Sequence, residues 1–104
     1  MVKMSARKRN EFERLQRYVN IEWGINNEYR KSLNRIKYAT TYEEVEGIVK
    51  SFKSLVEVAL KRVRTDLPEF YHESRKAFTM LLNSLKTEAQ KRINEIASIR
   101  LRRI

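Results

Sequence analysis

Large apolar side chains recur every three to four positions through most of this chain, and no useful length of it alternates between apolar and polar. That period gathers apolar residues on one face of an α-helix and argues against strands. The clearest run is Val45, Ile48, Val49, Phe52, Leu55, Val56, Ala59, Leu60 and Val63, with Lys50, Lys53, Glu57, Lys61 and Arg62 off the stripe. A second passes through Phe70, Ser74, Ala77, Phe78, Leu81, Leu82, Leu85, Ala89, Ile93 and Ile96. Upstream, Phe12, Leu15, Val19, Trp23, Tyr29, Leu33 and Ile36 form a third, broadened by Tyr18, Ile21 and Ile25. Gly24 interrupts it beside Asn26 and Asn27, so a local bend is expected there.

Two boundaries divide these stripes. In Ala39-Thr40-Thr41-Tyr42-Glu43-Glu44 a Thr is followed three residues later by Glu. This is the capping box, in which hydroxyl and carboxylate each satisfy a backbone N–H at a helix start. Thr40 with Glu43 and Thr41 with Glu44 both fit. In Asp66-Leu67-Pro68-Glu69 the proline ends one helix, disfavours helical geometry at Leu67 and leaves Asp66 to cap the next. Ser5 is the first cap. The pattern therefore predicts helices over about 6–39, 42–65 and 67–102.

Connections this short make successive helices antiparallel neighbours, so the expected fold is an all-α, up-down-up three-helix bundle forming one domain over residues 1–104. Folding back at these turns sets residue n of the first helix opposite roughly residue 80 − n of the second, and residue m of the third opposite roughly 133 − m. The middle helix is shorter than its neighbours. Residues 5–13 should run past one of its ends and residues 93–104 past the other.

Charge changes the picture at those tips. The 104 residues include 23 Lys and Arg against 13 Asp and Glu, a net charge of +10. Residues 1–17 hold six cations and two acids, residues 86–104 again six and two, and the stretch between is nearly balanced. Dense local clusters of cations point to polyanionic partners. At the C-terminal tip, Arg100, Arg102 and Arg103 also complement the negative end of a helix dipole, which is a local reason for their presence. At the N-terminal tip, Lys3, Arg7, Lys8 and Arg9 lie against the positive end, where cations are unfavourable, so an anionic partner explains them better. Arg14 and Arg17 continue that cluster, and the expected register brings Lys61, Arg62 and Arg64 beside it. Lys91 and Arg92, with Arg100, Arg102 and Arg103, form a second phosphate-contact set.

Composition removes whole classes of chemistry. Cysteine is absent, which excludes disulfides, thiolate metal sites and cysteine nucleophiles, and a single His leaves little for histidine-based catalysis. Two Gly and one Pro exclude glycine-rich phosphate loops. One Asp among the thirteen acids, beside abundant Arg, Lys and Glu, is a heat-adapted balance, although seven Asn point the other way. No apolar run approaches the ~20 residues of a spanning helix or follows the charged N-terminus as in a signal peptide. A soluble, cytoplasmic chain without membrane contact is expected.

Four features remain. Glu69-Phe70-Tyr71-His72 has the Glu-x-x-His spacing of di-iron helical bundles. It lacks a second His and follows Pro68 directly, so a helix-start Glu and a surface His are expected, and no metal. Glu22 falls within the first apolar stripe near Asn26, and the expected register sets it near Ala59 and Arg75. A buried polar network of Glu22, Asn26 and Arg75 that fixes helix register is expected there, with a polar notch for a partner as the alternative. The aromatics are expected in the core, leaving Tyr38, Tyr42 and Tyr71 free to stack on bases. Finally, Ile93, Ile96, Ala97, Leu101 and Ile104 continue an apolar face past the expected end of the bundle, flanked by Arg, as a surface for a protein with an acidic rim.

No zinc-ligand spacing, RNA-recognition aromatic motif or basic-zipper heptad is present to read bases. The expected function is a non-enzymatic accessory protein that holds DNA or RNA by its phosphates with little sequence specificity, as a subunit of a larger machine. The alternative is a helical adaptor or homodimer that docks through its C-terminal helix without touching nucleic acid. No catalytic residue, cofactor or small-molecule substrate is expected.

Overall fold

The computed structural model describes residues 5–102, and these form three helices: α1 (Ala6–Tyr38), α2 (Tyr42–Asp66) and α3 (Tyr71–Arg102). A single 3-10 turn over Pro68–Phe70 leads into α3. Each start follows from local chemistry. The Ser5 hydroxyl accepts from the Lys8 amide at 3.2 Å, which caps α1. At α2 the ambiguity between the two threonines resolves to Thr41, whose hydroxyl accepts from the Glu44 amide at 3.2 Å, while Thr40 donates to the Glu44 carboxylate at 3.3 Å.

The α2–α3 turn departs from expectation. Asp66 is the last residue of α2 rather than the cap of α3, and Leu67 occupies the junction with no side-chain cap. Leu67 donates its amide to Val63 at 2.8 Å and accepts from Phe70 at 3.0 Å, with its own side chain 1% exposed. Burying this leucine under the corner and starting with Pro68, which has no N–H to satisfy, substitute for a polar cap. α1 also continues through Gly24 without interruption. That glycine has no positive φ, and no neighbour lies within 4 Å of where a Cβ would stand.

The three helices pack pairwise around one apolar core, in the expected up-down-up order. Phe52, Phe78, Leu85 and Val45 are fully enclosed at its centre, joined by Ile25, Ile36, Val56, Ala59, Ala89 and Ile96. A smaller cluster of Tyr18, Val63 and Leu67 closes the α2–α3 end, where Tyr18 stacks on Phe70 with centroids 4.6 Å apart. The parallel register of α1 and α3 shows in their contacts. Arg14 meets Glu69 and Tyr29 meets Ser84 at 55 positions, Tyr18 stacks on Phe70 at 52 and Arg92 meets Ala39 at 53, which brackets the offset of 53 expected from the turns. The result is a rod of 72 × 27 × 15 Å, whose grooves all open to solvent.

The core face of α1 takes up the second half of the expected stripe and its broadening residues, and leaves the first half out. Tyr18, Ile25, Ser32 and Ile36 are buried, with Ile21, Tyr29 and Leu33 packed beside them. Phe12, Leu15, Val19 and Trp23, expected in the core, stand outside it at 56%, 46%, 50% and 68% exposure. α1 carries two apolar rows, and only the row starting at Tyr18 continues far enough to face α2 and α3 along the whole bundle.

Candidate nucleic-acid interface

Arg14 fixes where α1 leaves the bundle. Its guanidinium donates to both Glu69 oxygens, at 2.6 and 2.9 Å, and to the Asp66 carbonyl at 2.9 Å, so it stands level with the α2–α3 turn. Residues 5–13 therefore project past that turn by about 14 Å of helix. All are exposed, and they carry Arg7, Lys8 and Arg9 into solvent. Lys3 lies outside the described residues.

The same contact draws Arg14 away from the phosphate set, because three of its five N–H donors are engaged within the chain. The Arg14 hydrogen bonds are the main reason the Glu69 carboxyl is held below the ordinary glutamate range, and Glu69 in turn raises Arg14. A lowered carboxyl pKa contributes stability that is present above the unfolded-state value and lost as pH falls through the folded one. Glu69→Gln is expected to reduce the drop in melting temperature between about pH 5 and pH 2. An identical drop in variant and native chain would show that the pair adds nothing.

Of the remaining cations near this end, Arg17 and Arg62 line one groove between α1 and α2, shared with Asn20, Gly24 and Asp66. Lys61 is exposed on α2. Arg64 lies 5.7 Å from the Tyr71 ring and is partly held there. Arg7 pairs with Glu11 at 3.5 Å, both well exposed, which is a weak and salt-screened contact. Among the described residues, Lys8, Arg9, Arg17, Lys61 and Arg62 make no ion pair.

The C-terminal end differs from expectation. The α1–α2 connection lies over α3: Arg92 donates to the Ala39 carbonyl at 2.9 Å, and the Arg100 guanidinium sits 4.9 Å from the Tyr42 ring. Arg92 also pairs with Glu95 at 2.9 Å and Lys91 with Glu88 at 3.2 Å. Of the second phosphate set, Arg102 alone is exposed without a described contact, and Arg103 lies outside the described residues. The expected apolar docking face is largely covered by the chain itself. Ile96 is buried at 4%, Ile93 and Ala97 are half-buried, and Leu101 alone is open, with Ile104 outside the described residues. The tip is short because the 39–42 corner reaches as far as residue 100.

The polar network centred on Glu22 also rearranges. Arg75 is exposed, because Ser74 and Phe78 take the core face of α3. No ion pair joins Glu22 to Arg75. Asn26 donates instead to the Glu22 backbone carbonyl at 2.9 Å. The buried polar group here is the Tyr18 hydroxyl, which has no hydrogen-bond partner. Burial chiefly, and then the charge of Glu22, push its pKa up to about 12.

An unfolded tyrosine ionises near 10, so the unfolded chain sheds this proton first and stability falls as pH rises from about 10 to 12. Tyr18→Phe is expected to be neutral or stabilising by up to about 1 kcal/mol at neutral pH, and to move the midpoint of alkaline unfolding upward. An unmoved midpoint would show that the hydroxyl is solvated.

Glu69 is engaged with Arg14 and His72 is exposed, so the Glu-x-x-His spacing is spent on a surface pair. Among the described residues no three His, Asp or Glu side chains come together as metal ligands. Among the described residues no helix is long and apolar enough to cross a membrane. Tyr38 is exposed, whereas Tyr42 and Tyr71 are partly covered by Arg100 and Arg64. Sequence reasoning missed a third group of cations, Lys50 and Lys53 on α2 with Lys86 on α3, which line one groove together with Glu43 and Glu46. Their spacing on α2 was visible, but not that Lys86 would face them. Comparison of the chain with protein-family models, curated proteins and solved structures gives no match.

Proposed function

We propose that this protein is a non-enzymatic helical accessory protein that holds DNA or RNA by its phosphates, within a larger nucleic-acid-processing assembly of the cytoplasm. The observation that carries this reading is the group of exposed cations at one end of the rod, Lys8, Arg9, Arg17, Lys61 and Arg62, which make no ion pair among the described residues. Lys8 and Arg9 stand in the first turn of α1, where the helix dipole disfavours them, so local stability does not account for their placement. Arginine offers a planar fork for phosphate oxygens and lysine a mobile point charge. Both position a backbone without reading bases.

Binding should therefore follow charge and shape rather than sequence. In competition assays, scrambled oligonucleotides of equal length and strandedness are expected to displace a labelled one with affinities within a few-fold of each other. A single sequence preferred by a hundredfold or more would contradict a phosphate-only interface.

A further inference from the structure

The row that α1 leaves outside the core has a composition of its own. Phe12, Leu15, Val19 and Trp23 follow at intervals of three and four, so they form one continuous face about three turns long. At 56%, 46%, 50% and 68% exposure they present on the order of 400 Å² of apolar surface. A contiguous patch of that size on a small monomer is commonly a contact surface. Cations end the row on both sides: Lys8 stands one turn before Phe12, and Arg30 two turns after Trp23. Gln16, Asn26 and Asn27 border it, with two carboxylates at its edges: Glu11, which is exposed and pairs with Arg7 at 3.5 Å, and Glu22, half-buried near the Tyr18 hydroxyl.

We infer that this face of α1 docks an amphipathic helix of another protein whose apolar stripe is flanked by acidic residues. Ridges spaced by three and four residues on one helix seat the side chains of a second. The cations at both ends supply charge complementarity to an acidic partner and orient it along the row. Self-association is disfavoured by the same charges. Pairing two copies face to face sets Lys8 against Lys8 when they run parallel, and against Arg30 when they run antiparallel about Val19. Base stacking fits less well, because Leu15 and Val19 separate the two aromatic rings and offer no planar surface.

This surface does not depend on the phosphate-binding reading, and its test is separate. Trp23 is the chain's one tryptophan and lies on the face in question, so its emission reports occupancy. The intact protein is titrated with a synthetic helix of about twenty residues, leucine along one side and glutamate flanking it. The expected result is a saturable blue shift of Trp23 emission. A matched peptide with lysine in place of glutamate should bind at least about tenfold more weakly. Val19→Asp should weaken the acidic peptide by a similar factor while leaving helical circular dichroism unchanged. If that variant fails to fold, the comparison of the two peptides on the unaltered chain still decides.

The inference is overturned by no shift, or by equal shifts with both peptides. A shift produced only by an oligothymidylate would make the row a base-stacking face. A shift that grows with protein concentration alone, with a doubled mass in sedimentation, would make it a self-association face.

Discussion

Replacing Phe78 with Ala is expected to bring this chain to the edge of unfolding at room temperature. Phe78 is fully enclosed among Phe52, Leu85 and the apolar faces of all three helices. Truncating such a ring removes its transfer energy and leaves a cavity, at a cost of about 3–5 kcal/mol. A domain of this length commands only about 5–15 kcal/mol in total. Trp23→Ala is the control. At 68% exposure its loss should cost less than about 1 kcal/mol, although Trp is the larger side chain. Urea unfolding followed at the helical dichroism band measures both. If Trp23→Ala proved the costlier change, α1 would face the core with its other row and the packing described above would be wrong.

Replacing Lys8, Arg9, Arg17, Lys61 and Arg62 together with Ala is expected to weaken binding to DNA and RNA by about a hundredfold or more at moderate salt. Each phosphate contact releases condensed counterions, so the variant should also lose about 0.7–0.9 of salt slope per contact removed. The loss should be uniform across sequences, since phosphates carry no sequence information. These five side chains are exposed and make no ion pair among the described residues, so the fold should survive. Arg14 and Arg92 make the contrast. Both hold the bundle together, to Glu69 and the Ala39 carbonyl, and removing them should lower stability before it lowers affinity. Unchanged affinity in the five-fold variant would move the site elsewhere, with Lys50, Lys53 and Lys86 the next group to remove.

Features governed by local chemistry were legible in the sequence. Ser5, Thr41 and Pro68 mark where helices begin, because a cap or a proline acts on neighbours within one turn. The stripe of α2 was legible since it has one apolar face. That of α1 was legible only in part, because two rows share its first half. Periodicity shows that each is a face but not which one meets the core. The register was legible closely enough to place the projecting N-terminal end, but not that Ser74 rather than Arg75 would face the core. Charge density was visible, but which cations were free was not. Arg14 and Arg92 are engaged by groups 55 and 53 positions away, contacts that exist only after folding. The Ile96 face was misjudged for the same reason, since its cover is the 39–42 corner.

Phosphate binding by the native chain is tested most directly by a salt titration against labelled duplex and single-stranded oligonucleotides. With five cations in contact, log affinity should fall linearly with log salt at a slope of about −3 to −5, for both substrates and any sequence. A slope near zero, or no binding at the lowest salt, would contradict it and assign the basic end of the rod to an acidic protein surface instead.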